Sequence, residues 1–127
     1  MREQQIAMHT ISFILISVFA VVAAQICMKT GLNHLRPLDP SSGIFTLYQK
    51  ILLSPFVALG VTLYALGTFS WLYVLTRVDL SYAFPFLGLT YVLVALASCF
   101  LLGEHVSLLR WSGIIIISVG VIFVSVS

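Results

Sequence analysis

The chain has 127 residues, of which 61% are apolar and only 8% charged, with a formal net charge of +2. A soluble domain is about 25% charged and about 45–50% apolar, and a mean hydropathy of +1.14 leaves too few polar groups to cover a water-facing surface. The composition excludes a soluble globular domain and a disordered chain, and the scatter of the six Lys and Arg excludes a nucleic-acid binder.

The charged residues punctuate the sequence at Arg2, Glu3, Lys29, Arg36, Asp39, Lys50, Arg77, Asp79, Glu104 and Arg110. Four long apolar runs lie between them. Crossing about 30 Å of hydrocarbon takes about 20 residues of helix, and an isolated strand in lipid would leave its backbone unpaired. The pattern therefore predicts an all-α polytopic membrane protein with four transmembrane helices. They form a single domain over 1–127, at about 11–30, 51–76, 80–102 and 106–127.

The first run is preceded by Arg2, and Val22-Ala23-Ala24 resembles a signal-peptide cleavage site. Gln25 and Lys29 and three further spans follow, so the run reads as a retained span. The link over 31–50 is the longest and holds the turn formers Pro37, Pro40, Ser41, Ser42 and Gly43. Ile44, Leu47, Tyr48 and Ile51 then fall at helical spacing. Either a short interfacial helix forms there, with Pro55 in the first turn of the next span, or the second span begins early. Arg77-Val78-Asp79 is so tight a link that spans two and three form an antiparallel hairpin. Gly103 reads as a helix C-cap. Lys29, Arg36, Lys50 and Arg110 fall on one side of the membrane, Arg2 and Arg77 on the other. Lys and Arg mark the cytoplasmic side, which favours the first and third links inside.

Helices in lipid associate through small residues and a few polar contacts. Such stripes occur in the first helix (Ser17, Ala20, Ala24, Cys27), the second (Gly60, Gly67), the third (Ser81, Pro85, Gly88, Val92, Ala95, Cys99) and the fourth (Gly113, Gly120). Most serve packing within the bundle. Four helices enclose little space, so a bulky substrate calls for a second copy or a related chain, with Gly113 and Gly120 as the contact. Pro85 removes a backbone hydrogen bond. With Tyr82, Phe84 and Phe86 around it, the segment is either an interfacial helix start in an aromatic belt or a break lining a substrate path. The second reading is preferred.

Gln25 and Lys29, spaced i, i+4, share a helix face. An intramembrane charge is costly and usually functional or paired. Lys29 can snorkel to the interface, whereas Gln25, one turn deeper, needs a partner. Glu104 has three readings: a solvated boundary residue, an acceptor for a cationic substrate group, or a salt-bridge partner of Arg110. No phosphate loop, Ser-His-Asp set or metal-spaced His cluster occurs, and Cys27 and Cys99 read as small hydrophobes. No catalytic residue, cofactor or metal is expected; a transporter fits better than an enzyme.

Size, four spans and Gly113-(six residues)-Gly120-Val121 resemble the small four-helix branch of the EamA-like drug/metabolite transporter superfamily. Three segments are more specific. Ala24-Gln25-Ile26-Cys27-Met28-Lys29 resembles the first-helix Gln-x-Cys-x-Lys segment of subunits of the 4-amino-4-deoxy-L-arabinose–phosphoundecaprenol flippase. The run from Ser81 to Leu89 resembles their third-helix segment, and Glu104-His105-Val106-Ser107 with Arg110-Trp111-x-Gly113 resembles their region before the last helix. The resemblance implies a small multidrug resistance-like bundle in the bacterial inner membrane. It implies a homodimer, or a heterodimer with a related four-helix subunit, meeting through the last-helix glycines. The substrate implied is undecaprenyl-phosphate-linked aminoarabinose, moved for lipid A and lipopolysaccharide biosynthesis. On that reading Lys29 and Gln25 hold the phosphate, Glu104 meets the sugar's amino group, Tyr82 and Pro85 line the path, and Gly88 packs. The alternative is a small multidrug resistance-type exporter of cations or a small metabolite. Such exporters carry a first-helix carboxylate, which this apolar run lacks.

Overall fold

The computed structural model describes residues 2–37, 41 and 43–126. Pro40 and Ser42 of the anticipated turn lie outside the described residues. The elements are all helices: α1 (Arg2–His34), α2 (Ile44–Leu52), α3 (Pro55–Leu75), α4 (Leu80–Phe86), α5 (Leu89–Phe100) and α6 (Leu108–Ser125). Three stretches, Met8–His34, Pro55–Leu75 and Leu80–Phe100, are long and apolar enough to cross a membrane, and α6 is a shorter apolar helix. Its 18 residues rise about 27 Å, close to the hydrocarbon thickness. Large apolar side chains such as Phe69 (70% exposed) and Ile116 (72%) stand outward in mid-helix. Such a surface suits lipid rather than water as solvent. The chain is a multi-pass helical membrane protein.

α1 extends well past the expected 11–30 at both ends. Its N-terminal Arg-Glu-Gln-Gln run consists of good helix formers. At the other end helix continues through Gly31 until the approach to Pro37, before which the α conformation is disfavoured. The expected second span, 51–76, divides. Ser54 is extended (φ −67°, ψ 125°) ahead of Pro55, which opens α3. α2 is therefore a separate short helix. None of its residues is buried, and it exposes Ile44, Phe45, Tyr48 and Leu52.

The third span, expected over 80–102 with an interruption at Pro85, is broken between α4 and α5 at Leu87 and Gly88, just past the proline. Pro85 has no N–H to donate to the Ser81 carbonyl, and the helix gives way just beyond it. The chain tightens instead: Leu87 N–H donates to the Phe84 carbonyl (3.0 Å) and Gly88 N–H to the Pro85 carbonyl (2.8 Å). The Leu87 carbonyl accepts from the Thr90 N–H (2.9 Å) and also from the Thr90 hydroxyl. α6 starts at Leu108 rather than 106. Ser107 caps it, its hydroxyl accepting from Arg110 N–H at 3.3 Å.

α1 and α3 form the tightest pair. They run antiparallel, with Phe13 against Tyr73 (ring centroids 4.5 Å) at one end and His34 against Phe56 (5.4 Å) at the other. Glycines set the spacing. A Cβ on Gly60 would lie 2.6 Å from Met28 Cγ and 2.8 Å from the Ala24 carbonyl oxygen. One on Gly67 would lie 3.0 Å from Ala20 Cβ, and one on Gly31 2.8 Å from Val57 Cγ2. Close backbone approach of this kind substitutes for the hydrophobic effect, which is absent between helices in lipid. The buried centre of Ile14, Val18, Val74 and Ala83 joins α1, α3 and α4, with Trp71, Leu87 and Leu93 packed around it. Buried Ser17 donates its hydroxyl to the Phe13 carbonyl at 2.9 Å, so it needs no partner across the bundle.

Candidate functional site

The C-terminal half of α1 and the end of α5 come together at the end of the bundle that also holds the α6 N-terminus. Gly103 makes this possible. At φ +65° it adopts a conformation that side-chain-bearing residues rarely take. The turn it allows brings Glu104 N–H onto the Ser98 carbonyl at 2.9 Å. Glu104 is thereby directed at α1, where its Oε1 lies 3.2 Å from Lys29 Nζ. The salt bridge weighed for Glu104 with Arg110 is replaced by one with Lys29. The sequence separation to Arg110 is short, but the Gly103 turn directs the carboxylate toward α1. Each side chain of the pair is 41% exposed, so the charges are accessible from outside the bundle.

Two cavities flank Glu104. The larger, about 580 Å³, is bounded by α1, α5 and α6 and is lined by Gln25, Tyr91, Ser98, Glu104, His105 and Arg110 over apolar walls that include Val21 and Ile117. The smaller, about 170 Å³, holds Lys29 with Gln25, Ser98, Leu102 and Glu104. Gln25, Val94, Ser98 and Glu104 line both. Gln25 is exposed rather than held inside the bundle. Opposite charges, hydrogen-bonding groups and apolar walls thus meet at one partly open site. Such a site can form charge-assisted hydrogen bonds with a polar ligand group beside an apolar surface.

Lys29, Gln25 and Glu104, singled out from the sequence, are brought together here. Tyr82 and Pro85 are not. Tyr82 packs on Phe86 (ring centroids 5.3 Å) and lines a different cavity with Thr76, Arg77 and Asp79 at the α3–α4 link. Pro85 lies inside α4 at the helix break. Gly88 packs within the chain: a Cβ there would lie 2.6 Å from Val121 Cγ2 of α6. Gly113 and Gly120 differ, since a Cβ on either would meet nothing within 4 Å. Tyr91, Ser98, His105 and Arg110 were not singled out as site residues. Tyr91 and Ser98 stand seven apart on one face of α5, so their stripe was legible. It neighbours the small-residue stripe that drew attention instead. Among the described residues no group of three or more His, Cys, Asp or Glu is placed to hold a metal ion. Cys27 and Cys99 are free thiols.

Fold and site together define a small polytopic helical membrane protein with a cavity lined by charged residues. The chain belongs to the EamA-like transporter family, whose model matches residues 4–126. It is 38% identical over 122 residues to a protein of Shewanella sediminis named as a probable 4-amino-4-deoxy-L-arabinose-phosphoundecaprenol flippase subunit ArnF, covering 87% of this chain and 83% of that one. A Pseudomonas syringae pv. syringae protein named as a probable subunit ArnE of the same flippase is 35% identical over 97 residues, 76% of this chain and 82% of that one. An Erwinia tasmaniensis protein named as a probable subunit ArnF is 37% identical over 100 residues, 78% of each chain. No solved structure matches.

Proposed function

We propose that the chain is a subunit of a flippase in the bacterial inner membrane. Its substrate is undecaprenyl-phosphate-linked aminoarabinose or a closely related lipid-linked sugar, and the step feeds lipid A modification. The observation that carries this reading is the Lys29–Glu104 pair, 3.2 Å apart, on the wall of a cavity with apolar sides. The printed names of the relatives support the substrate class.

In this reading the phosphodiester binds Lys29 through charge-assisted hydrogen bonds, the strong kind, with Gln25 donating beside it. Glu104 receives the ammonium of the sugar. The polyprenyl tail stays in the bilayer while the head crosses. Tyr82 and Pro85 line the far part of the path, at the helix break and the α3–α4 link. The chain acts as one four-span domain, and Gly113 and Gly120 face a second copy or a related four-helix subunit. Gly88 closes α4 and α5 onto α6 within the chain.

The test is deletion of the gene in its native host, with mass spectrometry of lipid A and complementation. Loss of the aminoarabinose adduct, restored by the wild-type gene but not by an equally expressed Lys29→Ala variant, is the expected result. Unchanged lipid A in a host shown to make the adduct would overturn the assignment.

A further inference from the structure

The two basic residues of the site are not equivalent. Lys29 is already bonded to Glu104 at 3.2 Å. Arg110 lines the larger cavity together with Glu104 and His105, yet among the described residues it has no ion-pair partner. Its backbone N–H is held by the Ser107 cap, which fixes the start of its side chain at the first turn of α6. Its guanidinium is thus the uncommitted permanent cation of the cavity, with a fork geometry suited to two phosphate oxygens. The acidic partner of Lys29 lines the same cavity.

Resting on the flippase reading above, we propose that Arg110 is the primary anion-binding residue, and that the Lys29–Glu104 pair is a charge-exchange lock selecting lipid phosphodiesters whose head also carries an amine. An anionic lipid head binds Arg110 first. A neutral sugar on that phosphate offers nothing to Glu104, so Lys29 stays committed to Glu104 and gives the phosphate no second cation. An amino sugar places its ammonium on Glu104, and Lys29 is released to the phosphate. The ion pair inside the protein is exchanged for two between protein and ligand, so Lys29 and Glu104 each keep an opposite charge. Leaving one unpaired is the costly outcome. The lock makes selectivity depend on Glu104 rather than on the size of the sugar pocket.

The experiment measures binding of three probes to the full-length chain in lipid nanodiscs. The probes are a polyisoprenyl phosphate, the same lipid phosphate carrying a neutral pentose, and the same carrying a 4-amino pentose. Circular dichroism and gel filtration check each variant's fold. Wild type is expected to bind the amino sugar at least about tenfold more tightly than the neutral one, the scale of one added hydrogen-bonded charge contact. Glu104→Gln should abolish that discrimination while tightening binding of the two probes without an amine, because Lys29 is freed to the phosphate. Arg110→Gln should weaken all three by about tenfold or more. Arg110→Lys should recover part of the loss. Equal affinity of the wild type for both sugars would overturn the lock while leaving the flippase reading intact. Discrimination that survives in folded Glu104→Gln would do the same. Unchanged binding in Arg110→Gln would overturn the role of Arg110. Failure of well-folded wild type to bind any of the three would overturn the flippase reading and the lock together.

Discussion

Glu104, in the loop after α5, bonds Lys29 near the end of α1, and the contact depends on the positive φ of Gly103 between them. Each charge satisfies the other. Both remain 41% exposed, so a ligand can reach them without unpacking the bundle. The pair therefore makes a modest contribution to stability. Lys29→Ala is expected to lower transport of the lipid-linked sugar at least about tenfold with near-normal accumulation in the membrane, and Lys29→Arg should retain part of the activity. Lipid A mass spectrometry alongside quantitative immunoblotting measures both. Collapse of protein levels in Lys29→Ala would show a structural role instead.

The α1–α3 contact leaves no room at Gly60, where a Cβ would come within 2.6 Å of Met28 and 2.8 Å of a backbone oxygen. A side chain can yield, but the α1 backbone cannot without separating the helices. Gly60→Val should destabilise the protein by about 1–3 kcal/mol or more, the range for overpacking. In detergent this would appear as a lower melting temperature and reduced recovery. Gly67→Ala, whose closest contact is the small Ala20 Cβ at 3.0 Å, should be milder.

Gly113 and Gly120 present the opposite situation, with nothing within 4 Å of an added Cβ. Gly113→Leu and Gly120→Leu should leave the helical content and melting temperature of the isolated chain unchanged. They should abolish the proposed association with a second copy or a related chain, as measured by cross-linking in membranes. Gly88→Leu, which would drive into Val121, should instead damage the fold itself. Undisturbed association in the double Gly113/Gly120 variant would place the subunit contact elsewhere.

Tyr82 and Pro85 lie away from the Lys29–Glu104 cavities. Tyr82→Phe and Pro85→Ala should therefore leave head-group affinity within about twofold, since neither removes a contact to the head, while slowing translocation along the path. Equilibrium binding in nanodiscs and a flipping assay in proteoliposomes separate the two effects. A large loss of affinity in either variant would bring that end of the chain into the head-group site.

Much of the architecture is legible in the sequence, because a membrane imposes simple requirements. Apolar runs set the helices, charges set their ends, and Pro55 marks the start of α3. The boundaries that differ have local causes. α1 runs long because its N-terminal flank is made of good helix formers and no proline follows until Pro37, and the third span divides just past Pro85, where the ladder tightens. Gln25 and Lys29 were recognisable as a pair because i, i+4 spacing puts them on one face regardless of the fold.

Which charge meets which was beyond the sequence. Arg110 is the nearer partner for Glu104 along the chain, and Lys29 is far from it. Only the packing of α5 beside α1, with the Gly103 turn, made the distant residue the partner. The two kinds of glycine were equally opaque. Gly88 and Gly120 both sit in small-residue stripes, and their helical spacing is silent about which packs in the bundle and which is exposed. Composition determined that this chain lives in lipid and spans it as helices, because transfer of apolar side chains and backbone depends on residue type and local order. The tertiary structure decided the site, because ion pairing and cavity shape depend on distances between segments that only packing brings together.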